Sequence, residues 1–362
     1  MIDKVLRTIR HEGMDAVLDK ARKRLLYKAK RALQPKDDRF ENWANLKGAF
    51  KGKRVFLLGN GPSLNKTPLH YLEGEYVMCF NHFYNMEERI PWTPTFYMST
   101  DNLVLQDLLG QLNDLIERYD YSFFPDIHFR GAEFYSKVDN RGDAYWLKQV
   151  HGLGFSREMP EVYLGGSVIY EGFQVLEYLG FDEIYFIGVD MSFVVHKSSK
   201  KLNRNQTDIE SNKDDDPNHF DPRYFGKKKR YHQPEQYVID NIRNHLAYLS
   251  GINGVGEKIV NAGIDSTVND FKRVNFTDLF SRTLEEEKTL EGKLISKYCQ
   301  HQSLEDFIRV EDELGIDVTE TQGLGNFYTT SERGPDMVKL SIFTHIPLGP
   351  FREHYVFIKR KP

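Results

Sequence analysis

The sequence predicts an α/β protein built on a doubly wound, mostly parallel sheet, with a basic N-terminal helix and a small α+β C-terminal extension. Short apolar runs at Val55–Leu58, Tyr76–Phe80 and Thr95–Met98 each end in polar residues, as buried parallel strands do when their loops open at one edge of a sheet. A helix-spaced stretch from Ser167 to Leu179 is stopped by Gly180 and followed by the run Glu183–Val189, which closes on Asp190. Strand, loop, helix, strand is the repeating unit of such a sheet. With 362 residues, 40% hydrophobic, the chain has enough apolar material for one large or two modest domains.

The first 34 residues carry ten Lys/Arg against four Asp/Glu, although the whole chain has a formal net charge of −4. Apolar residues from Val5 to Leu33 recur there every three or four positions, so they share one helical face, with Arg7, Arg10, Lys20, Lys23, Lys28 and Arg31 largely elsewhere. Such a helix either docks on the domain or lies on an anionic membrane surface. Pro35 and the polar run Lys36–Arg39 end it. No run reaches the roughly 18 to 20 uninterrupted apolar residues of a membrane span, and no apolar signal region opens the chain. Cys79 and Cys299 stand far apart without a CxxC or a His cluster, which argues against a disulfide framework and a structural zinc. A soluble protein of a reducing, cytoplasmic compartment is the expectation.

Further along, Leu103–Tyr119 has helical spacing and Tyr121–Phe124 reads as a strand, while residues 130–160 show no clear period. Residues 194–230 form a long polar stretch with HKSSKK, DDD and GKKKR runs, which is usually a lid, a binding loop or disorder, and a lid is expected at about 194–232. A helix returns over Gln236–Leu249 and a strand over Lys258–Ala262. Glu285–Lys288 is charged enough for a linker. Beyond it, a helix (Ser303–Leu314) and strand-like runs (Gly325–Thr330, Val338–Thr344, His354–Lys359) make up the extension. The expected divisions are 1–45, helix and linker; 46–285, the α/β domain; and 286–362, the extension.

Four features are able to carry chemistry. Gly59-Asn60-Gly61-Pro62-Ser63 follows a strand directly, and glycine lets backbone N–H groups approach a phosphate or ribose. It lacks the third glycine of a dinucleotide fingerprint and the GK[ST] of a P-loop, and a plain strand-to-helix turn also fits it. Asn81, Ser99, Asp101 and Asp190 stand at successive strand ends, where side chains of an open sheet converge on one crevice. Gly165-Gly166-Ser167 opens a helix, whose N-terminus can take an anion or simply be capped by serine. His219 and His232 flank Lys227, Lys228, Lys229 and Arg230, which places two imidazoles that titrate near neutrality beside cations. The basic residues lie in one terminal helix and one loop without interleaved aromatics, which argues against nucleic acid.

Taken in order, FLLGNGPSL, CFNHFY, FYMSTD, YLGGSV, IYFIGVD and NHFDPRYFGKKKRYHQP resemble a family that contains the 6-hydroxymethylpterin pyrophosphokinase, the motility-accessory-factor flagellin glycosyltransferases and, more distantly, the small bacterial CMP-sialic acid sialyltransferases. The resemblance covers residues 50–282 and implies a Rossmann-like sheet of a GT-A-like variant. It also implies a nucleotide sugar, CMP-activated in the sialyltransferase case, held by the GNGPS turn, Asn81, Gly166 and Ser167, with His232 as general base. Where the sialyltransferases have tyrosines after the IGxD-like strand, this chain has Met191, Ser192 and Phe193, so phosphate stabilisation would pass to Lys227, Lys228, Lys229 or Arg230.

The expected activity is therefore metal-independent glycosyl transfer in surface polysaccharide or lipid-linked glycan synthesis, with no cofactor beyond the donor. Asp101 departs towards the kinase side of the family. With Asp190 it supports a rival, a Mg²⁺-dependent pyrophosphokinase or nucleotidyl transferase. A second rival is a non-catalytic nucleotide-binding accessory protein at the membrane.

Overall fold

A computed structural model describes residues 9–10, 14–33, 38–87, 89–90, 92–194, 197–201, 208–232 and 236–280, and the backbone of four strands between 318 and 359. In chain order the elements are α1 (Met14–Leu33), β1 (Arg54–Leu58), β2 (Tyr76–Phe80), β3 (Phe96–Met98), α2 (Asn102–Leu108), α3 (Leu112–Arg118), β4 (Tyr121–Ile127), β5 (Ala144–Val150) and β6 (Glu161–Tyr163). They continue with α4 (Val168–Leu179), β7 (Glu183–Ile187), β8 (Ser199–Lys201), β9 (Asp208–Ser211), β10 (Arg230–His232), α5 (Gln236–Ser250), β11 (Ile259–Asn261) and β12 (Lys272–Arg273).

Nine strands form one sheet in the order β12-β11-β7-β1-β2-β3-β4-β5-β6, and each neighbouring pair is parallel. The chain walks outward from β1 to β6, and α4 then carries it back to β7 on the other side of β1. The direction of winding reverses between β1 and β7, which is where open α/β sheets form their ligand crevice.

Alternation along each strand feeds two cores. Val55 and Leu57 pack with Phe173, Leu176 and Leu179 of α4 and Ile242, Leu246 and Leu249 of α5. Phe56 and Leu58 face the opposite layer, with Val104, Leu105 and Leu108 of α2 and Leu112 and Leu115 of α3. Helix α4 starts at Ser167, whose side chain accepts from the Ile169 N–H, and stops at Gly180, held at φ +88° where only glycine sits without strain.

Two sequence expectations change here. The stretch drawn as a linker up to residue 45 docks on the sheet: Trp43 is 2% exposed, its indole N–H donates to Trp146 O at 2.8 Å, and its ring stacks on Phe123. Phe40, Trp43 and Leu46 recur every three residues, the spacing of one face of the 3₁₀ helix formed over Asp38–Leu46, a signal too short to stand out beside the basic helix before it. The polar segment expected as a lid is, over residues 208–232, a packed layer. Strands β8, β9 and β10 form a small antiparallel sheet, and Phe220 and Tyr224 enter the core on the α2 and α3 side of the main sheet. The aromatics are diluted among charges along the chain and gather only when it folds.

Beyond residue 317, β13 (Val318–Gln322) pairs antiparallel with β14 (Phe327–Thr330), and β15 (Met337–Ile342) with β16 (His354–Lys359). Three of these match the expected runs; β13 was not foreseen. The expected helix over Ser303–Leu314 and the linker at Glu285–Lys288 lie outside the described residues.

Candidate functional site

At the β1/β7 reversal the two strand-end loops touch. The N–H groups of Gly59 and Gly61 donate to the carbonyls of Ile187 and Gly188, both at 2.8 Å. A Cβ on Gly59 would collide with the Gly188 carbonyl, and one on Gly61 with the Asp190 carboxylate. Pro62 opens a short 3₁₀ turn, and the Ser63 N–H donates to Asp190 Oδ2 at 2.9 Å while its hydroxyl donates to Oδ1. A carboxylate of the protein therefore occupies the anion position in front of the GNGPS turn. Burial pushes the Asp190 carboxyl up from its ordinary range, and the two bonds from Ser63 pull it back.

One step along the sheet, the structure gathers Asn60, Asn81 and Ser99 around a residue the sequence had not singled out. Asn60 Nδ2 donates to the Tyr224 hydroxyl at 2.7 Å and to Phe80 O at 3.2 Å. The Tyr224 hydroxyl also engages the Asn81 side chain. Ser99 Oγ donates to Asn81 Oδ1 at 2.9 Å, and Asn81 itself takes φ +54°, a left-handed conformation that asparagine tolerates.

The His219 imidazole lies flat on the Tyr224 ring, with centroids 4.0 Å apart and planes within 3°. Its Nδ1 is 2.7 Å from Asp216 Oδ2. Burial raises the Asp216 carboxyl, but His219 and the N–H groups of Asn218 and Phe225 outweigh it, so the acid stays below its usual range. Nδ1 thereby carries the hydrogen towards Asp216, and Nε2 is the ring atom able to accept a proton.

The same segment is tied to the GNGPS turn: Phe220 N–H donates to Asn60 O, and Asn65 Nδ2 to Phe220 O, both at 2.9 Å. Below it, Asp221 is clasped by buried Arg89 at 3.2 Å and by Arg223 at 2.8 Å.

Nearer the β3–β5 ends lies a second polar group. Asp101 caps α2, its Oδ1 accepting from the N–H groups of Leu103 (2.8 Å) and Val104 (3.1 Å). Its Oδ2 is 3.9 Å from His232 Nε2, so that pair is electrostatic rather than hydrogen-bonded. Behind Asp101, the Glu171 carboxyl receives the Thr100 hydroxyl at 3.0 Å and Gln149 Nε2 at 3.3 Å. Burial pushes Glu171 up to about 8, so it holds its proton at neutral pH.

The remaining expected residues are placed apart from these. Ser167 is a helix cap, Gly165 packs on the Tyr170 ring, and Gly166 turns at φ +82° against α5. Among the cations, Lys227 and Lys228 are exposed and Arg230 is paired with Asp107 at 3.1 Å. Lys229 differs: burial lowers its ammonium to about 8, and its Nζ lies over the Tyr84 ring. Among the described residues no three His, Cys, Asp or Glu side chains gather as a metal-ion donor set, and Asp101 and Asp190 serve the separate contacts given above. A shallow hollow of about 360 Å³ beside β11 and β12, lined by Ala262, Gly263, Arg273 and Phe276 among others, contains none of the expected site residues.

Sequence reasoning missed Tyr224, Asp216, Asp221, Arg89 and Glu171. The Asp-x-x-His spacing of Asp216 and His219 was a usable signal; a buried arginine such as Arg89 leaves none. No family model matches the chain, and no curated protein matches it. Among solved structures it is similar to the MAf glycosyltransferase from Magnetospirillum magneticum AMB-1, at 12% identity and a TM-score of 0.38, over 75% of this chain and 46% of that one. This chain thus spans about half the length of that protein.

Proposed function

We propose that the protein is a glycosyltransferase that takes a nucleotide sugar, CMP-activated as the motif resemblance implies, and passes the sugar to a hydroxyl of a surface glycan or lipid-linked acceptor. The observation that carries this reading is His219, held by Asp216 and laid on the tyrosine that joins Asn60 to Asn81 at the ends of two central strands. Asparagine amides at that position suit the edge of a nucleobase or a ribose hydroxyl.

The reaction on this reading is direct displacement at the anomeric carbon. The acceptor oxygen forms the new bond, the bond to the phosphate oxygen breaks, and CMP leaves with the electron pair. His219 Nε2 removes the acceptor proton, and Asp216 steadies the imidazolium that results. Arg223 and Lys229, on the same segment, supply positive charge for the departing phosphate.

Asp216 at 2.7 Å supports His219 as the base, against 3.9 Å between Asp101 and His232, the base that the resemblance implies. A thermal-shift panel of CMP, UDP, GDP and ATP identifies the nucleotide by its stabilisation of the fold. In transfer assays with the matching donor, His219→Ala is expected to lose roughly 10²- to 10⁴-fold in turnover with donor binding little changed. If His232→Ala loses that much and His219→Ala does not, the base is His232. A protein that binds nucleotide and turns over no donor is an accessory subunit.

A further inference from the structure

Helix α1 sits on the domain the wrong way round for a core-facing helix. Among the described residues, the hydrogen bonds that seat it are polar ones, the Tyr27 hydroxyl donating to Gln149 O and the Lys30 ammonium to Gly131 O, both at 2.8 Å, with half-exposed Leu26 beside Gly131. The apolar side points outward. Met14, Leu18, Ala21 and Leu25 recur at four- and three-residue steps and so form one stripe. Along it Met14 is 57% exposed, Leu18 62% and Leu25 68%, whereas most other apolar residues among those described are buried. Arg22 and Lys28, both exposed, lie on the two flanks of the stripe.

We propose that α1 lies along an anionic lipid surface, with this stripe at the boundary between headgroups and acyl chains and the flanking cations on the headgroups. Charge selects the occupant. The helix carries seven Lys/Arg against two Asp, so a second copy of the same face would bring like charges together, whereas anionic headgroups complement them. Twenty residues span about 30 Å along the surface, and no described helix is long and apolar enough to cross a membrane.

The contacts that seat α1, Gly131 and Gln149, follow or end β4 and β5, so the lipid surface and the crevice share the carboxyl edge of the sheet. An acceptor anchored in that surface would be presented on the side where His219 sits. The docking goes beyond the proposed reaction, and its readout is lipid binding, so either reading can fail without the other.

The test is co-sedimentation of the full-length protein with phosphatidylcholine vesicles with and without phosphatidylglycerol, at low and high salt. Binding is expected only to the anionic vesicles and to fall with salt. Arg22→Gln with Lys28→Gln should weaken it about fivefold per cation removed. Leu18→Ser with Leu25→Ser should abolish it while circular dichroism and the melting temperature stay unchanged. Equal partitioning to both vesicle types, no binding to either, or full retention by the serine variant overturns the proposal. So does a dimer in light scattering that the serine variant dissociates, because a second copy would then cover the stripe.

Discussion

Gly61 has an ordinary backbone at φ −67°, so what demands glycine there is space rather than conformation. A side-chain carbon would press on the Asp190 carboxylate and on the Gly188 carbonyl, which belong to the other loop of the strand reversal. Gly61→Ala is therefore expected to destabilise the fold by roughly 1–3 kcal/mol, the cost of overpacking a close contact, read as a lower urea midpoint without any ligand present. An unchanged midpoint would mean that the two loops separate freely.

Burial raises the Glu171 carboxyl to about 8, so the native state keeps a proton that the unfolded chain loses near the ordinary value of 4.5. Between those values the unfolded state binds fewer protons, and stability falls as pH rises, by at most about 1.4 kcal/mol per pH unit. Glu171→Gln should flatten that slope in urea titrations run from about pH 5 to 8. If the variant keeps the full wild-type slope, some other group is losing its proton.

Among the elements, the layer from β9 to β10 stands where a lid was expected and is packed against the domain. It carries Asp216, His219 and Tyr224 into position, and it is secured by aromatic burial as well as by bonds to Asn60 and Asn65. Phe220 is fully buried in the core on the α2 and α3 side of the sheet and packs edge-on against Phe83. Phe220→Ala should cost about 3–5 kcal/mol, the usual range for emptying a buried phenylalanine site, and should loosen the His219 seat with it. Pulse proteolysis within residues 208–232 is the check, and cleavage no faster than in wild type would restore the picture of a free-standing loop. In sequence this layer looked like a loop because burial is a property of residues that meet. Phe220, Tyr224, Phe225 and Tyr231 are spread over a dozen positions among lysines and aspartates, interrupted by Pro222 and Gly226, so no regular element announces their burial.

For the molecule as a whole, no α1 side chain among the described residues belongs to either core, and Phe40 is the first residue packed against them. Removing residues 1–33 is expected to leave one cooperative thermal transition within about 3 °C of wild type, since about 1 kcal/mol moves a domain of this size by that much. A larger fall would make α1 part of the core. The sequence alone determined β1 to β4, β7, β11 and the crossover helix α4, because buried parallel strands must be apolar and their loops must be polar. It left β5, β6 and β12 unread, and of the strand-end residues Asn81, Ser99, Asp101 and Asp190 expected to share one crevice, Asp101 caps α2 apart from the others. Tertiary structure alone decided three things: that Asp190 fills the anion position before the glycine turn, that Tyr224 and Asp216 build the seat of His219, and that α1 turns its apolar stripe outward. Each depends on which groups meet across long sequence separations, and local pattern records only what lies within a few residues of itself.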